Sequence, residues 1–209
     1  MSNGSFSSLY EDSIKAFENW SIYSAGFIAF IYSVWKFVKK NKKRDYQVEF
    51  TSIHSEIHEL LTELRLVTDS ARTQVIQLHN GEYFMDGVSM RKFSVTHESL
   101  ERGIDSCATR MHAVLCSLFI PLLTLVLENS AKIQYVTDLK DSYFKQFFES
   151  RNIEAFSVLP LKVKNQITGF LLVQWCNSKK IDDIEPVFVS HQVEKIRNAI
   201  QVQLLSQPK

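Results

Sequence analysis

The sequence predicts an α+β protein in which an N-terminal transmembrane helix and a long juxtamembrane helix lead into an antiparallel sheet flanked by helices. Three observations carry that prediction. Residues 20–38 are almost wholly apolar, residues 46–71 repeat apolar side chains at alternating spacings of four and three, and from residue 73 the period shortens toward two in segments bounded by turn residues. The chain of 209 residues therefore divides into a short tail at 1–19, a membrane helix at 20–38, a basic flank and helix at 39–72, and a folded domain at 73–209.

The run from Trp20 to Val38 (WSIYSAGFIAFIYSVWKFV) contains one charge, Lys36. At this length a helix spans roughly 30 Å, the thickness of a hydrocarbon core. Trp20, Tyr23, Tyr32 and Trp35 lie toward its ends, where aromatic rings favour the interface, and Lys36 can snorkel to the headgroups. A cleaved signal peptide wants a basic leader, but Glu11, Asp12 and Glu18 outweigh Lys15. At the C-terminal side of the run, Lys36, Lys39, Lys40, Lys42, Lys43 and Arg44 form a basic flank. It places the C-terminal domain in the cytoplasm and offers a contact for anionic membrane lipid. A second apolar run, Ala113 to Leu127, is interrupted by Pro121 and bordered by Arg110, His112 and Glu128, so it is read as buried chain of the domain.

Tyr46, Phe50, Ile53, Ile57, Leu60, Leu64, Val67 and Ala71 then follow the a/d rule of a left-handed coiled coil, which predicts a homodimer through this helix. Glu49, Glu56 and Glu63 occupy the g positions without basic partners at e. Leu61 and Leu66 widen the stripe, which also suits a helix lying on its own sheet.

In the domain, Thr73–Leu78 reads as a strand, with turns at Asn80-Gly81 and Asp86-Gly87 and a further strand to Val95. A helix is expected from Asp105 or Ser106 to about Leu118, then a strand at 132–137 and a helix carrying Tyr143, Phe144, Phe147 and Phe148. Residues 155–164 and 167–176 read as a hairpin joined at Asn165-Gln166. A closing helix from Asp182 or Asp183 presents Val189, Val193, Ile196, Ile200 and Leu204 on one side.

The order Asp138, Ile153, Val158, Pro160, Leu161, Ile167, Gly169 and a terminal amphipathic helix at 183–205 resembles the second half of a GAF domain. The resemblance implies a GAF-like sensory or regulatory module, dimeric through its flanking helices, that binds a small molecule or a partner protein. Two chemistries of that family lack their residues here. The cyclic-nucleotide pattern Asn-Lys-x-Phe fails at Asn177-Ser178-Lys179-Lys180, and none of Cys107, Cys116 and Cys176 stands beside the histidine that bilin-binding members use.

The most chemically loaded segment is QLHNGEYFMDGVSMRKFSVTH, residues 77–97. His79, Tyr83, Met85, Arg91, Phe93 and His97 are its candidate ligand-binding residues, with aromatic walls and polar anchors as a pocket requires. No metal motif, nucleophile elbow, P-loop or dinucleotide glycine pattern occurs, so no metal, no cofactor and no enzymatic activity is expected. A formal charge of +1 gives no reason to expect nucleic acid as a partner, and three unpaired cysteine positions suit reduced thiols. The resulting expectation is a membrane-anchored, non-enzymatic sensory module. The alternative is a single-span lysis protein of the holin type with a globular domain, which would place that domain on the other side of the membrane.

Overall fold

The computed structural model describes residues 4–83, 85–177, 179–182 and 185–206, with side chains placed for 26–39, 46–83, 85–177, 179–181 and 185–206. The chain divides into two compact units, Met1–Phe50 and Thr51–Lys209. Helix α1 (Gly4–Val67) makes up the described part of the first unit and opens the second, so the expected tail, anchor and juxtamembrane helix are one helix.

Within the first unit every side chain from 26 to 39 is exposed, including Phe27, Ile28, Phe30, Ile31, Val34, Trp35, Phe37 and Val38. Large apolar groups occupy more than half of the circumference, with Gly26, Ala29, Ser33 and Lys36 on the remaining side, which is unusual for a helix facing water. Lys39 Nζ lies 4.6 Å above the Trp35 ring. Among the described residues no helix is long and apolar enough to cross a membrane. Trp20, Tyr23 and the first part of the expected span lie outside the described side chains, as do Lys40, Lys42, Lys43 and Arg44.

In the second unit, Ile53, Ile57, Leu61 and Leu64 line one stripe of α1 and are buried against the sheet. This corrects the coiled-coil expectation for Ile53, Ile57 and Leu64: their surface is used inside the chain and is closed to a second copy. Leu60 is only partly buried at the edge of the same core, while Phe50 and Val67 are exposed. Leu61 decides the matter, because it extends the stripe in the direction that faces the sheet rather than along a seam.

A short connection joins α1 to strand β1 (Arg72–Tyr83). Thr68 and Ser70 donate backbone N–H groups to Leu64 and Arg65, Asp69 takes a left-handed φ of 43°, and Ala71 already bonds to Gln174. The Trp175 indole donates to the Thr68 carbonyl at 3.0 Å from full burial. β2 (Ser89–Leu100), β3 (Val114–Leu115), β4 (Gln134–Tyr135), β5 (Ala155–Val163) and β6 (Gln166–Trp175) complete an antiparallel sheet of order β3-β2-β1-β6-β5-β4.

Alternation along the strands builds two cores. Val75, Leu159, Leu161, Leu171, Val173 and Trp175 face α1 and helix α5 (Pro186–Leu205), whose Val189, Val193, Ile196, Ile200 and Leu204 are all buried as expected. Ile76, Phe93, Val95, Phe156, Val158, Phe170 and Leu172 point the other way. They meet α2 (Ile120–Glu128) and α3 (Tyr143–Glu149) in a second core rich in phenylalanine. Phe93, Phe119, Phe144, Phe148, Phe156 and Phe170 are linked there by edge-to-face contacts at centroid separations of 4.4–6.1 Å.

Gly169, opposite Gln77, lets β6 approach β1; a Cβ there would collide with the Ile76 carbonyl oxygen. Pro160 is tolerated because β4 pairs with β5 only at Ala155 and Phe156, so no strand awaits its missing N–H. The hairpin turns at Lys164-Asn165, one residue before the expected position; both residues have positive φ, 50° and 64°, as a two-residue turn demands.

Two local expectations are corrected. β1 continues through Asn80-Gly81 to Tyr83, and the turn falls at Asp86-Gly87, where Asp86 accepts from the Val88 N–H. The expected helix over 105–118 is replaced by turns, the short β3 and a 3-10 turn at Cys116–Phe119. Buried Arg72 donates to the Asp105 carbonyl and Glu98 accepts from the Cys107 N–H, which holds the segment open by side-chain bonds. The helix instead begins after it, with Pro121 in its first turn, where a missing N–H costs nothing. The short helix α4 (Lys179–Asp182) precedes α5.

Candidate functional site

Two constellations on opposite faces of the sheet stand out. The first is a cleft of about 580 Å³ on the face that carries the phenylalanine core. β1 supplies Leu78 and β2 supplies Arg91, while Gln166 and Ile167 come from β6. The opposite wall is α2, with Leu123, Val126 and Leu127, and Cys116 closes one side. Leu78, Leu123, Val126 and Ile167 also pack on the second core, so the walls are continuous with the rigid interior. Arg91 is exposed and forms no ion pair among the described residues. Burial pushes the Cys116 thiol above its ordinary pKa, and the positive charge of Arg91 opposes that push.

The second constellation is a histidine cluster between α1 and β2. His54 Nδ1 lies 2.6 Å from His97 Nε2, the two rings stack with centroids 4.8 Å apart, and the His58 ring stands 5.0 Å from that of His97. His97 Nδ1 bonds the Thr96 hydroxyl at 3.0 Å. A β-bulge creates the arrangement: β1 pairs Ile76 with Val95 and Val75 with His97, leaving Thr96 as an extra residue. Without that residue His97 would share the face of Val95; with it, His97 turns toward α1. Burial lowers the His97 pKa from 6.5 to about 4, with the neighbouring His54 and His58 acting in the same direction. His54 is lowered too, by burial first and by His58 second. In the close nitrogen pair one ring donates and the other accepts, the tautomers deciding which. Among the described residues no group of three or more histidine, cysteine or acidic side chains is arranged to hold a metal ion.

The six residues proposed from sequence are dispersed by the fold. Only Arg91 lines the cleft. Phe93 is fully buried between Phe119 and Phe170 and belongs to the core. His79 bonds the Ser94 hydroxyl at 2.9 Å. Tyr83 is 66% exposed and Met85 fully so, because the strand carries them past the body of the sheet. His97 packs on α1, on the far side from Phe93. Sequence reasoning missed Leu78, Cys116, Leu123, Val126, Leu127, Gln166 and Ile167. For Leu123, Val126 and Leu127 the available signal was the apolar run after Pro121; Leu78, Cys116, Gln166 and Ile167 carry none.

No protein-family model matches the chain, and no curated protein matches its sequence. Solved structures do. The phycocyanobilin-bound GAF domain of a cyanobacterial phytochrome is similar over 78% of this chain and 92% of its own, with a TM-score of 0.54 and 13% identity. The phycoerythrobilin-bound GAF domain of a cyanobacterial phytochrome gives 0.53 at 12% identity, over 78% and 92% of the two chains. A far-red cyanobacteriochrome photoreceptor gives 0.54 at 12% identity, over 83% and 99%. These likenesses establish the fold of the second unit as that of a GAF domain, an antiparallel sheet flanked by helices.

Proposed function

We propose that this chain is a membrane-anchored, non-enzymatic sensory module whose GAF-fold domain binds a small ligand in the cleft between β1, β2, β6 and α2. The observation that carries the reading is the cleft: an open, largely apolar concavity of about 580 Å³ with one cation, built on a fold whose solved neighbours include chromophore-bound sensory domains. Its volume lies within the range of small-molecule sites. The non-enzymatic reading is supported by the thiols: burial raises the pKa of all three, and Cys107, beside Glu98, is enclosed in the interior.

The anchor reading rests on the broad exposed apolar surface of residues 26–39 together with the basic sequence behind it. Such a surface is costly in water and is satisfied by lipid. The C-terminal domain then lies in the cytoplasm, with Lys36, Lys39, Lys40, Lys42, Lys43 and Arg44 at the inner headgroups. A homodimer, if formed through α1, must use Tyr46 and Phe50 and the exposed side of the helix, since the sheet takes Ile53, Ile57 and Leu64.

A covalent bilin does not fit these residues. Cys107 is sealed in the interior, and burial raises the pKa of Cys107, Cys116 and Cys176 alike, away from the thiolate that attachment needs. Nor does anything in the fold favour a holin-type lysis protein. The test is carbonate extraction of membranes from cells expressing the full chain, with protease access to the C-terminal domain in intact cells and in spheroplasts. Retention in the pellet and cleavage only after the membrane is breached are expected. Release by carbonate would refute the anchor, and cleavage in intact cells would refute the orientation.

A further inference from the structure

We infer that the cleft is a receptor site for a carboxylic acid with a hydrocarbon tail, the carboxylate held by Arg91 and the tail lying between Leu78, Ile167 and the α2 residues Leu123 and Leu127. This rests on reading the domain as a ligand sensor, and it specifies the ligand's chemistry.

Three features of the site select that class. First, the walls are aliphatic: the β1, β6 and α2 side chains that line the cleft offer methyl and methylene groups and no aromatic face. They suit a flexible chain better than a flat ring. Second, the cleft holds a single formal charge. Arg91 is exposed at its edge without an acidic partner among the described residues, and no acidic side chain lines the cleft. A guanidinium presents paired N–H donors that match a carboxylate, and it stays charged at any physiological pH. Third, the Gln166 amide is the other polar side chain on the lining, and it offers a further donor to the same headgroup. A cationic ligand would meet Arg91 in repulsion, and a neutral alkane would gain nothing from either polar group.

Cys116 sits on the same wall, where burial raises its thiol pKa, and it serves as one more soft, apolar surface. The cleft is open to solvent on one side, which lets the charged head remain hydrated while the tail is withdrawn from water.

The experiment is calorimetric titration of the full chain in a non-ionic detergent with hexanoate, octanoate and decanoate, and with octanol and octylamine as neutral and cationic counterparts. Octanoate is expected to bind more tightly than octanol by at least tenfold, and octylamine not at all. Each added methylene should tighten binding by up to about fourfold until the cleft is full. Arg91→Ala should abolish the preference for octanoate over octanol, and Arg91→Lys should keep part of it. Leu123→Trp, which fills the cleft, should abolish binding of every tail length. Octanol binding as well as octanoate, or an unchanged octanoate affinity in Arg91→Ala, would overturn the carboxylate assignment and leave the ligand-sensor reading standing. No binding by any probe to the folded wild type would overturn the assignment together with the cleft as a site for tailed ligands.

Discussion

Replacing His97 with asparagine is expected to flatten the dependence of stability on pH below neutrality. The imidazole is almost wholly enclosed, faces His54 and His58 of α1, and bonds Thr96 of its own strand. Its pKa falls from 6.5 to about 4 on folding, chiefly through burial. Above pH 6.5 the ring is neutral in both folded and unfolded chains, and the packing it provides is fully available. As pH falls from 6.5 toward 4, the unfolded chain binds a proton that the folded chain does not, so stability declines with acidity. At about 1.4 kcal/mol per pH unit, the full interval costs roughly 3 kcal/mol. The assay is urea unfolding of the full chain in non-ionic detergent, followed by near-ultraviolet circular dichroism at pH 7.5, 6.0, 5.0 and 4.5. Titrating groups outside the cluster contribute equally to wild type and variant, so the difference between them reports this ring together with its coupling to His54 and His58. The gap should change in the variant's favour by about 2 kcal/mol or more between pH 7.5 and 4.5. His54→Gln removes only a lesser cause and should shift the acid limb without erasing it. A gap that stays constant across the four pH values would refute the account.

The remaining predictions test the scaffold. Gly169→Ala should destabilise the domain by at least about 2 kcal/mol in the same urea assay, since its Cβ would strike the Ile76 carbonyl and force β6 from β1. Leu61→Ala should cost about 2–5 kcal/mol, because this fully buried side chain locks α1 to the sheet. Ser142→Ala removes the hydroxyl that accepts the Lys145 N–H at the start of α3 and should cost about 1 kcal/mol in the thermal or urea midpoint.

How far the sequence could be read depended on whether a local pattern had one physical solution. The five apolar positions of α5 admit one burial face, and the nearly continuous apolar runs of β5 and β6 admit only strands buried on both faces; the structure uses both solutions. The stripe of α1 admits two, a coiled-coil seam or a helix on a sheet, because Ile53, Ile57 and Leu64 satisfy both. Gly81 also misleads as a sequence sign: its missing Cβ makes room for the Met90 carbonyl and the Lys92 side chain rather than for a tight turn. The helix expected at 105–118 fails because Arg72 and Glu98, remote in sequence, bind the backbone of that segment. The candidate site dispersed for a related reason. One inserted residue at Thr96 reverses the parity of β2, so Phe93 and His97, four apart and expected on a common wall, look into opposite cores.

The junction at Thr68–Ala71 leaves α1 and β1 with no slack between them. With the Trp175 indole clamped on Thr68 and Ala71 already tied to β6, a twist of the helix about its own axis cannot be absorbed by the linker. Such a twist would have to break one of these bonds or carry β1, the strand of Leu78, along with it.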